Sequence, residues 1–450
     1  MFEKYFEHLV SVLKSRCASM SGTILFVQWR AERSDFVRFN HALLRQAGTV
    51  ERHSAEFRMI QGQRVSVLQK NLTGAPGDDE MVIDEVLRAL AARMPDAADD
   101  PYLLINTVAA QSRDSQAELE VDAQLAVQTV LDEARGHDLV GAWTSGPMAA
   151  GLWSSLGAQH FFERASWSLD YSIYARSDAA QSRRDKAVKA TLAGGDWSSE
   201  RVRDSIRKSL RQLEVLYRKP ILLAPGGYRA LLAPAAVGAL IDMLCWGGFS
   251  ARAELIGQSP LLKLRTGESK FSTLFALAED LDRIPVPRFQ SDGFLRPFKT
   301  DLIDAGKAVE QFCSPRTARE FGIESNGAGN DEGPLALTMQ GGSLDQAKEM
   351  AALGQGLSIS NLWYLNFSDR SSCRVTGMTR FATIWVENGE WVAPVVPMRF
   401  DDSLFSLLGD QLQDLGAEPE RLPELVSYDW RSSSASLIPS ALIRAMRFTI

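Results

Sequence analysis

Phe2, Tyr5, Phe6, Leu9, Val10 and Leu13 recur at three- and four-residue spacing with charges between them, which predicts a packed amphipathic first helix. The period then drops to two. Thr23 to Trp29, DFVRFN (35–40) and AEFRMIQGQRVSVLQ (55–69) predict short strands of a meander, with a turn at Gln61-Gly62. A helix is predicted from about Asp79 to Met94, with Met81, Val82, Val86, Leu87 and Leu90 on one stripe, and another from about Ser115 to Arg135, closed by Gly136. LVGAW, GLWSSL, HFFERASW and LDYSIYA (139–175) predict a second set of strands, followed by the polar run SDAAQSRRDKAVKATLAGGDWSSE. The domain transition is placed near residues 180 to 200, giving an α+β first domain over 1–190 with an antiparallel sheet.

The second domain, 191–450, is expected to be larger and β-rich. A helix from Ser199 to Arg218 leads to a strand at Pro220 to Ala224, a turn at Pro225-Gly226-Gly227 and an apolar helix from about Ala230 to Leu244. Its clearest hairpin is RFATIWV-ENG-EWVAPVV, where Asn388-Gly389 can supply the positive φ angles of a type I′ turn.

With 45% hydrophobic and 23% charged residues, 450 residues can build two or three ordinary cores. The net charge of -7 leaves no basic surplus for phosphates, which argues against nucleic acid as a partner. The longest apolar stretch, Leu231 to Phe249, is broken by Pro234 and Asp242, so no membrane span is expected. Cys17, Cys245, Cys313 and Cys373 form no CxxC or Cys/His spacing, and the first helix lacks the unbroken apolar centre of a signal peptide, so a cytoplasmic location is expected.

The residues alone write no catalytic constellation. His8, His41, His53, His137 and His160 form no HExxH, and no nucleophile elbow, P-loop or GxGxxG after a strand is present. GDWSSE and LAPGGYRALLAP offer glycines for an anion but lack the lysine and Ser/Thr of a phosphate loop. They read as tight turns.

The run Ile221 to Leu240, ILLAPGGYRALLAPAAVGAL, resembles the strand, turn and helix of the TldD/TldE (PmbA) family of metallopeptidase-related proteins. SDGFLRPFKTDLIDAG, CSPRTAREFGIESNGAG, LSISNLWY, VTGMTR and IWVENGEWVAPVVPMRFDDSL resemble further segments of that family; FVRFN, RQAG and QGQR do so more weakly. The resemblance spans about residues 20 to 450. In zinc-binding members the helix carries His-Glu-Ala-Val-Gly-His; aligned on Ala236-Val237-Gly238, its histidines fall on Pro234 and Ala239 and its glutamate on Ala235. The family's third ligand is a cysteine near the C-terminus, and no cysteine follows Cys373 here. Zinc needs nitrogen, sulfur or carboxylate donors, and methyl groups and a pyrrolidine ring supply none.

The resemblance therefore implies a TldE-like subunit with no catalytic residue and no metal of its own. It implies a heterodimer with a TldD-like zinc metallopeptidase, enclosing a cavity where unfolded or extended peptides are cut during peptide maturation or turnover. Thr376, Gly377, Thr379 and Arg380, read as a polar TGMTR turn, are candidate substrate-binding residues, with a purely structural turn as the competing reading. Cys373 reads as a bland thiol, and Trp143, Trp153, Trp167, Trp363, Tyr364, Trp385 and Trp391 as strand aromatics, mostly core, that could otherwise hold a peptide strand. Two other readings stay open: a stand-alone peptide-binding scaffold without a peptidase partner, and a hydrolase recruiting metal through residues such as Asp369 or Glu387.

Overall fold

The computed structural model describes residues 2–18, 20–119, 121–175, 186–425 and 430–449. The first half runs α1 (Phe2–Cys17), β1 (Ile24–Asn40), β2 (Leu43–Gln61), β3 (Arg64–Leu72), α2 (Pro76–Arg93), β4 (Gln111–Gln116), α3 (Ala123–Glu133), β5 (Asp138–Ser154), β6 (Gln159–Tyr174) and β7 (Ala187–Gly194). Among the described residues these strands make one seven-stranded sheet in the order β3-β2-β1-β5-β6-β4. The far edge of β6 is shared: β4 pairs in parallel with its first half and β7 antiparallel with its second.

The strands are longer than the period-two runs suggested. Thr23–Trp29 and DFVRFN are two parts of the single strand β1, which turns into β2 through His41 and Ala42, both at φ 52°. Neither residue is a glycine, so the turn carries no sequence signal. The start of β2 is exposed on both faces, Leu43 and Leu44 included, and so lacks any alternation to read. The third predicted helix begins only at Asp122, whose carboxylate accepts from Gln124 N and Leu125 N; residues 111–116 are β4 instead. The polar run after 175 contains β7, which extends the first sheet past residue 190; residues 176–185 of that run lie outside the described residues.

Parity along β1 sorts the two faces of this sheet. Leu25, Val27, Trp29 and Ala31 pack under α1 and α2. Met81 is exposed, and the buried stripe of α2 is Ile83, Val86, Leu87 and Leu90. Buried Asp79 ties the two helices by accepting from the Tyr5 hydroxyl at 2.6 Å and from Gly74 N at 3.0 Å. Val37 and Phe39 continue that face under α3 and under α4 (Ser199–Leu216), the first helix of the second half. The opposite face turns toward the second half, with Phe26 packed against Phe289.

The second half continues β8 (Gly226–Leu232), α5 (Pro234–Cys245), β9 (Leu277–Asp280), β10 (Lys299–Asp304), β11 (Lys307–Ala308), β12 (Ala336–Met339), β13 (Gly356–Asp369), β14 (Arg374–Glu387), β15 (Glu390–Pro394), β16 (Arg399–Ser403), β17 (Leu412–Leu415), β18 (Glu420–Pro423), β19 (Ala435–Ile438) and β20 (Ala441–Phe448). Among the described residues they form two sheets, β11-β10-β9-β12-β19-β18 and β13-β8-β20-β16-β14-β15. A large core that includes α5 lies between them. The predicted 220–224 strand is reduced to a bridge between Ile221 and Val395, and the strand lies in Gly226–Leu232. The apolar helix starts at Pro234 rather than Ala230, because proline is preorganised for a first helical position and cannot pair within a helix interior. The Asn388-Gly389 hairpin forms as expected, at φ 52° and 78°.

A largely antiparallel sheet with flanking helices in the N-terminal half and two mixed sheets in the C-terminal half make an α+β protein. No helix among the described residues is long and apolar enough to cross a membrane.

Candidate functional site

Helix α5 presents the positions of the resemblance on its first two turns. Pro234, Ala235 and Ala239 are partly exposed, while Ala236, Val237, Gly238 and Leu240 are buried. Gly238 lies close against β18: a Cβ there would sit 2.7 Å from a terminal methyl of Leu422, which would have to shift. Ala235, Ala239 and Asp242 fall at i, i+4 and i+7, so Asp242 extends the same face by one turn. Its side chain reaches solvent, but the surrounding protein mass, helped by repulsion from Glu424, pushes its carboxyl up to about 6. Pro234, Ala235 and Ala239 offer no donor, and among the described residues no three His, Cys, Asp or Glu side chains converge as metal ligands. The residues on this face do not fit the zinc that the resemblance implies for catalytic relatives.

A second feature is a cavity of about 810 Å³ between the first sheet and residues 421–425 and 431–434. The even-numbered face of β1 supplies Glu32, Ser34, Phe36 and Arg38; β18 and the chain beyond it supply Arg421, Pro423, Glu424, Leu425 and Arg431. Strand β18 separates this cavity from α5, with Leu422 on the helix and Arg421 on the cavity.

Arg431 is what docks that segment onto the sheet. The β1–β5 ladder runs Glu32↔Met148 and resumes at Asp35↔Ser145, skipping Gly146 and Pro147. Pro147 has no N–H to give, and Gly146 sits at φ 134°, where an added Cβ would lie 2.1 Å from Arg33 O. Into the gap Arg431 donates to Gly146 O (3.0 Å), Ser34 Oγ (3.1 Å), Ser166 O (2.7 Å) and Ser166 Oγ (2.8 Å). Its backbone N–H donates to Glu32, which also pairs with Arg52. Desolvation lowers the Arg431 pKa to about 10, and Glu32 opposes that fall. Trp430 lies under the guanidinium groups of Arg30 and Arg52, at 4.5 and 4.7 Å.

The TGMTR residues lie elsewhere and are not a turn. They are the middle of β14, paired with β13 on one side and β16 on the other. Strand alternation splits them. Gly377 is buried against Phe400, and buried Thr379 accepts from Met398 N at 3.0 Å. Thr376 donates to Phe400 O at 3.0 Å, and Arg380 is exposed, stacked 4.0 Å over Trp363. None of the four lines the cavity.

Cys373 is buried, and desolvation pushes its thiol up to about 12, the opposite of an activated nucleophile. Asp369 is held down to about 2 by the hydroxyls of Ser372 and Ser371, and Glu387 accepts from the Trp385 indole at 2.9 Å. Trp29, Trp143 and Trp167 are core, whereas Trp363 is 42% exposed. Composition does not single out Arg421 and Arg431 from the other arginines. The readable signal was Gly146-Pro147 inside a strand pattern, a break that something else must satisfy.

Residues 225–450 match the family profile described as the PmbA/TldA metallopeptidase C-terminal domain. No curated protein matches the sequence. Three solved structures share the fold over nearly the whole chain. TldE from Thermococcus kodakarensis has TM-score 0.76 and 13% identity, covering 99% of this chain and 100% of its own. A candidate DNA gyrase modulator from Thermotoga maritima has TM-score 0.74 and 14% identity, covering 100% of both. Another from Bacteroides thetaiotaomicron has TM-score 0.74 and 15% identity, covering 99% of this chain and 98% of its own. With the family profile matched over just more than half of its length, this chain belongs to the TldD/TldE (PmbA) family of metallopeptidase-related proteins.

Proposed function

We propose that the chain is a TldE-like, non-catalytic subunit that pairs with a TldD-like zinc metallopeptidase and helps enclose a cavity in which unfolded or short peptides are cut. The observation that carries this reading is the face of α5, where Pro234, Ala235 and Ala239 stand at the positions that hold two ligands and the general base in zinc-binding relatives. Zinc needs donor atoms to hold it before a carboxylate can take a proton from its bound water, and Pro234, Ala235 and Ala239 leave Asp242 as a carboxylate on that face with no ligand beside it among the described residues. In this reading zinc belongs to the partner, and the present chain shapes the enclosure and holds substrate in extended form. Thr376 and Arg380, on the outward face of β14, remain candidates for substrate contact; Gly377 and Thr379 serve the strand itself by close packing and backbone hydrogen bonding.

The test is co-expression with a TldD-like chain, followed by peptide-cleavage assays on the pair and on each chain alone. The pair should co-purify and cleave, with cleavage abolished by a chelator. Chelator-sensitive cleavage by the present chain alone would overturn the assignment.

A further inference from the structure

The cavity between the first sheet and residues 421–425 and 431–434 carries one feature that packing does not explain. Arg421 reaches it from β18, half-buried, with no ion pair or hydrogen bond from its guanidinium among the described residues. Desolvation and the nearby positive charge of Arg201 both lower its pKa, and among the described residues no carboxylate offsets them. Three of the cavity's described carboxylates are engaged elsewhere: Asp170 accepts from Lys189 (2.8 Å) and Thr191, Glu32 from Arg52, and Glu424 from Ser432 (2.9 Å). A half-buried guanidinium beside a second cation is a costly arrangement that an incoming anion would complete.

We propose that this cavity binds the C-terminal carboxylate of an extended peptide, gripped by Arg421. The proposal rests on the reading of the chain as a peptide-handling subunit and names the end of the peptide that it holds. Among the described residues, five arginines and five carboxylates line the cavity, a balance that suits a singly charged carboxylate on a polar chain better than a phosphate dianion. Phe36, Val50, Met148 and Leu425 give it apolar wall for side chains. Gly195 borders it with nothing within 4 Å of where a Cβ would stand, leaving bare backbone within reach of a peptide's own N–H and C=O groups.

The experiment is calorimetric titration of the full chain with an unstructured pentapeptide, once as the free acid and once as the C-terminal amide, with inorganic phosphate as competitor. The free acid should bind about tenfold or more tightly than the amide. Arg421→Gln should reduce the acid to the amide's affinity and leave the amide unchanged, while Arg421→Lys should keep most of the preference. Equal affinity of acid and amide, no binding of either up to millimolar concentration, or an intact preference in Arg421→Gln would overturn the proposal. Displacement by phosphate at concentrations equal to the peptide's would also overturn it, as the mark of a general anion site. Should Arg421→Gln melt earlier than the parent, Arg421→Met, which keeps the apolar stem without the charge, supplies the same comparison, with the same loss of preference expected and an intact preference contradicting the assignment. Co-purification with a TldD-like chain is read separately. Loss of pairing with the carboxylate preference intact would sink the subunit reading alone, and the converse would sink only this site.

Discussion

Truncating Arg431 to alanine should loosen the docking of the 430–434 segment onto the first sheet. The side chain makes four hydrogen bonds, two of them to the carbonyls of Gly146 and Ser166 at an interruption of the β1–β5 ladder. Hydrogen bonds from a charged donor contribute about 1.5–3 kcal/mol each, and a buried acceptor left unpaired costs about 1–3 kcal/mol. Against this stands the desolvation of the guanidinium, which lowers its pKa from 12.5 to about 10 and so costs about 3 kcal/mol at 1.36 kcal/mol per pH unit. Water entering from the adjacent cavity would satisfy part of what is exposed. The net loss is about 2–4 kcal/mol, which for a chain of 450 residues is a fall in melting temperature of roughly 2–4 °C. Arg431→Lys should fall between, because one ammonium cannot span both carbonyls and both serines. Differential scanning fluorimetry reads the melting point, and hydrogen exchange of the 430–438 backbone reads where the loosening occurs. A shift under about 1 °C with unchanged exchange would refute the view that this arginine fastens the two halves.

Asp242→Asn should raise the melting temperature at pH 7–8 and have no effect near pH 4. The folded chain holds this proton up to about pH 6 whereas the unfolded chain releases it near 3.8, so stability declines as pH rises between those values and the penalty persists above them. Because the side chain reaches solvent the gain is small, roughly 1–2 °C, and a loss of stability at neutral pH would contradict it. Glu332→Gln should cost about 2–4 kcal/mol in urea unfolding, since this buried carboxylate at φ 49° accepts from Ser250, Arg252 N and Ser314 N, where an amide offers one acceptor oxygen instead of two; an unchanged midpoint would count against it. Cys373 should resist a thiol reagent at pH 8 in the native protein and react on unfolding, as a thiol with a pKa near 12 inside the core requires.

The legibility of each element in the sequence tracks its physics. Helix α1 and the Asn388-Gly389 hairpin are specified locally, by an apolar stripe and by φ preferences, and both form where the pattern places them. The start of β2 is exposed on both faces and owes its strand state to pairing with β1, so it carries no period of its own. VTGMTR reads as a turn from its glycine and threonines. Gly377 is instead a place where Phe400 presses on the strand, a contact supplied by another part of the chain. At the site, the missing donors of α5 were visible in Pro234, Ala235 and Ala239 once the helix was placed. The cavity was not, since its walls come from β1, β6 and residues 421–425 and 431–434, and their meeting depends on an arginine plugging a gap in a distant sheet.

Zinc content is the most direct test of the central claim. Elemental analysis of the chain purified alone, after dialysis against buffer with micromolar zinc, should find well below one zinc per chain. The co-purified pair with a TldD-like subunit should hold about one, carried by the partner. One tightly held zinc per chain in the isolated protein, lost on substitution near Ala235 and Ala239, would contradict the account.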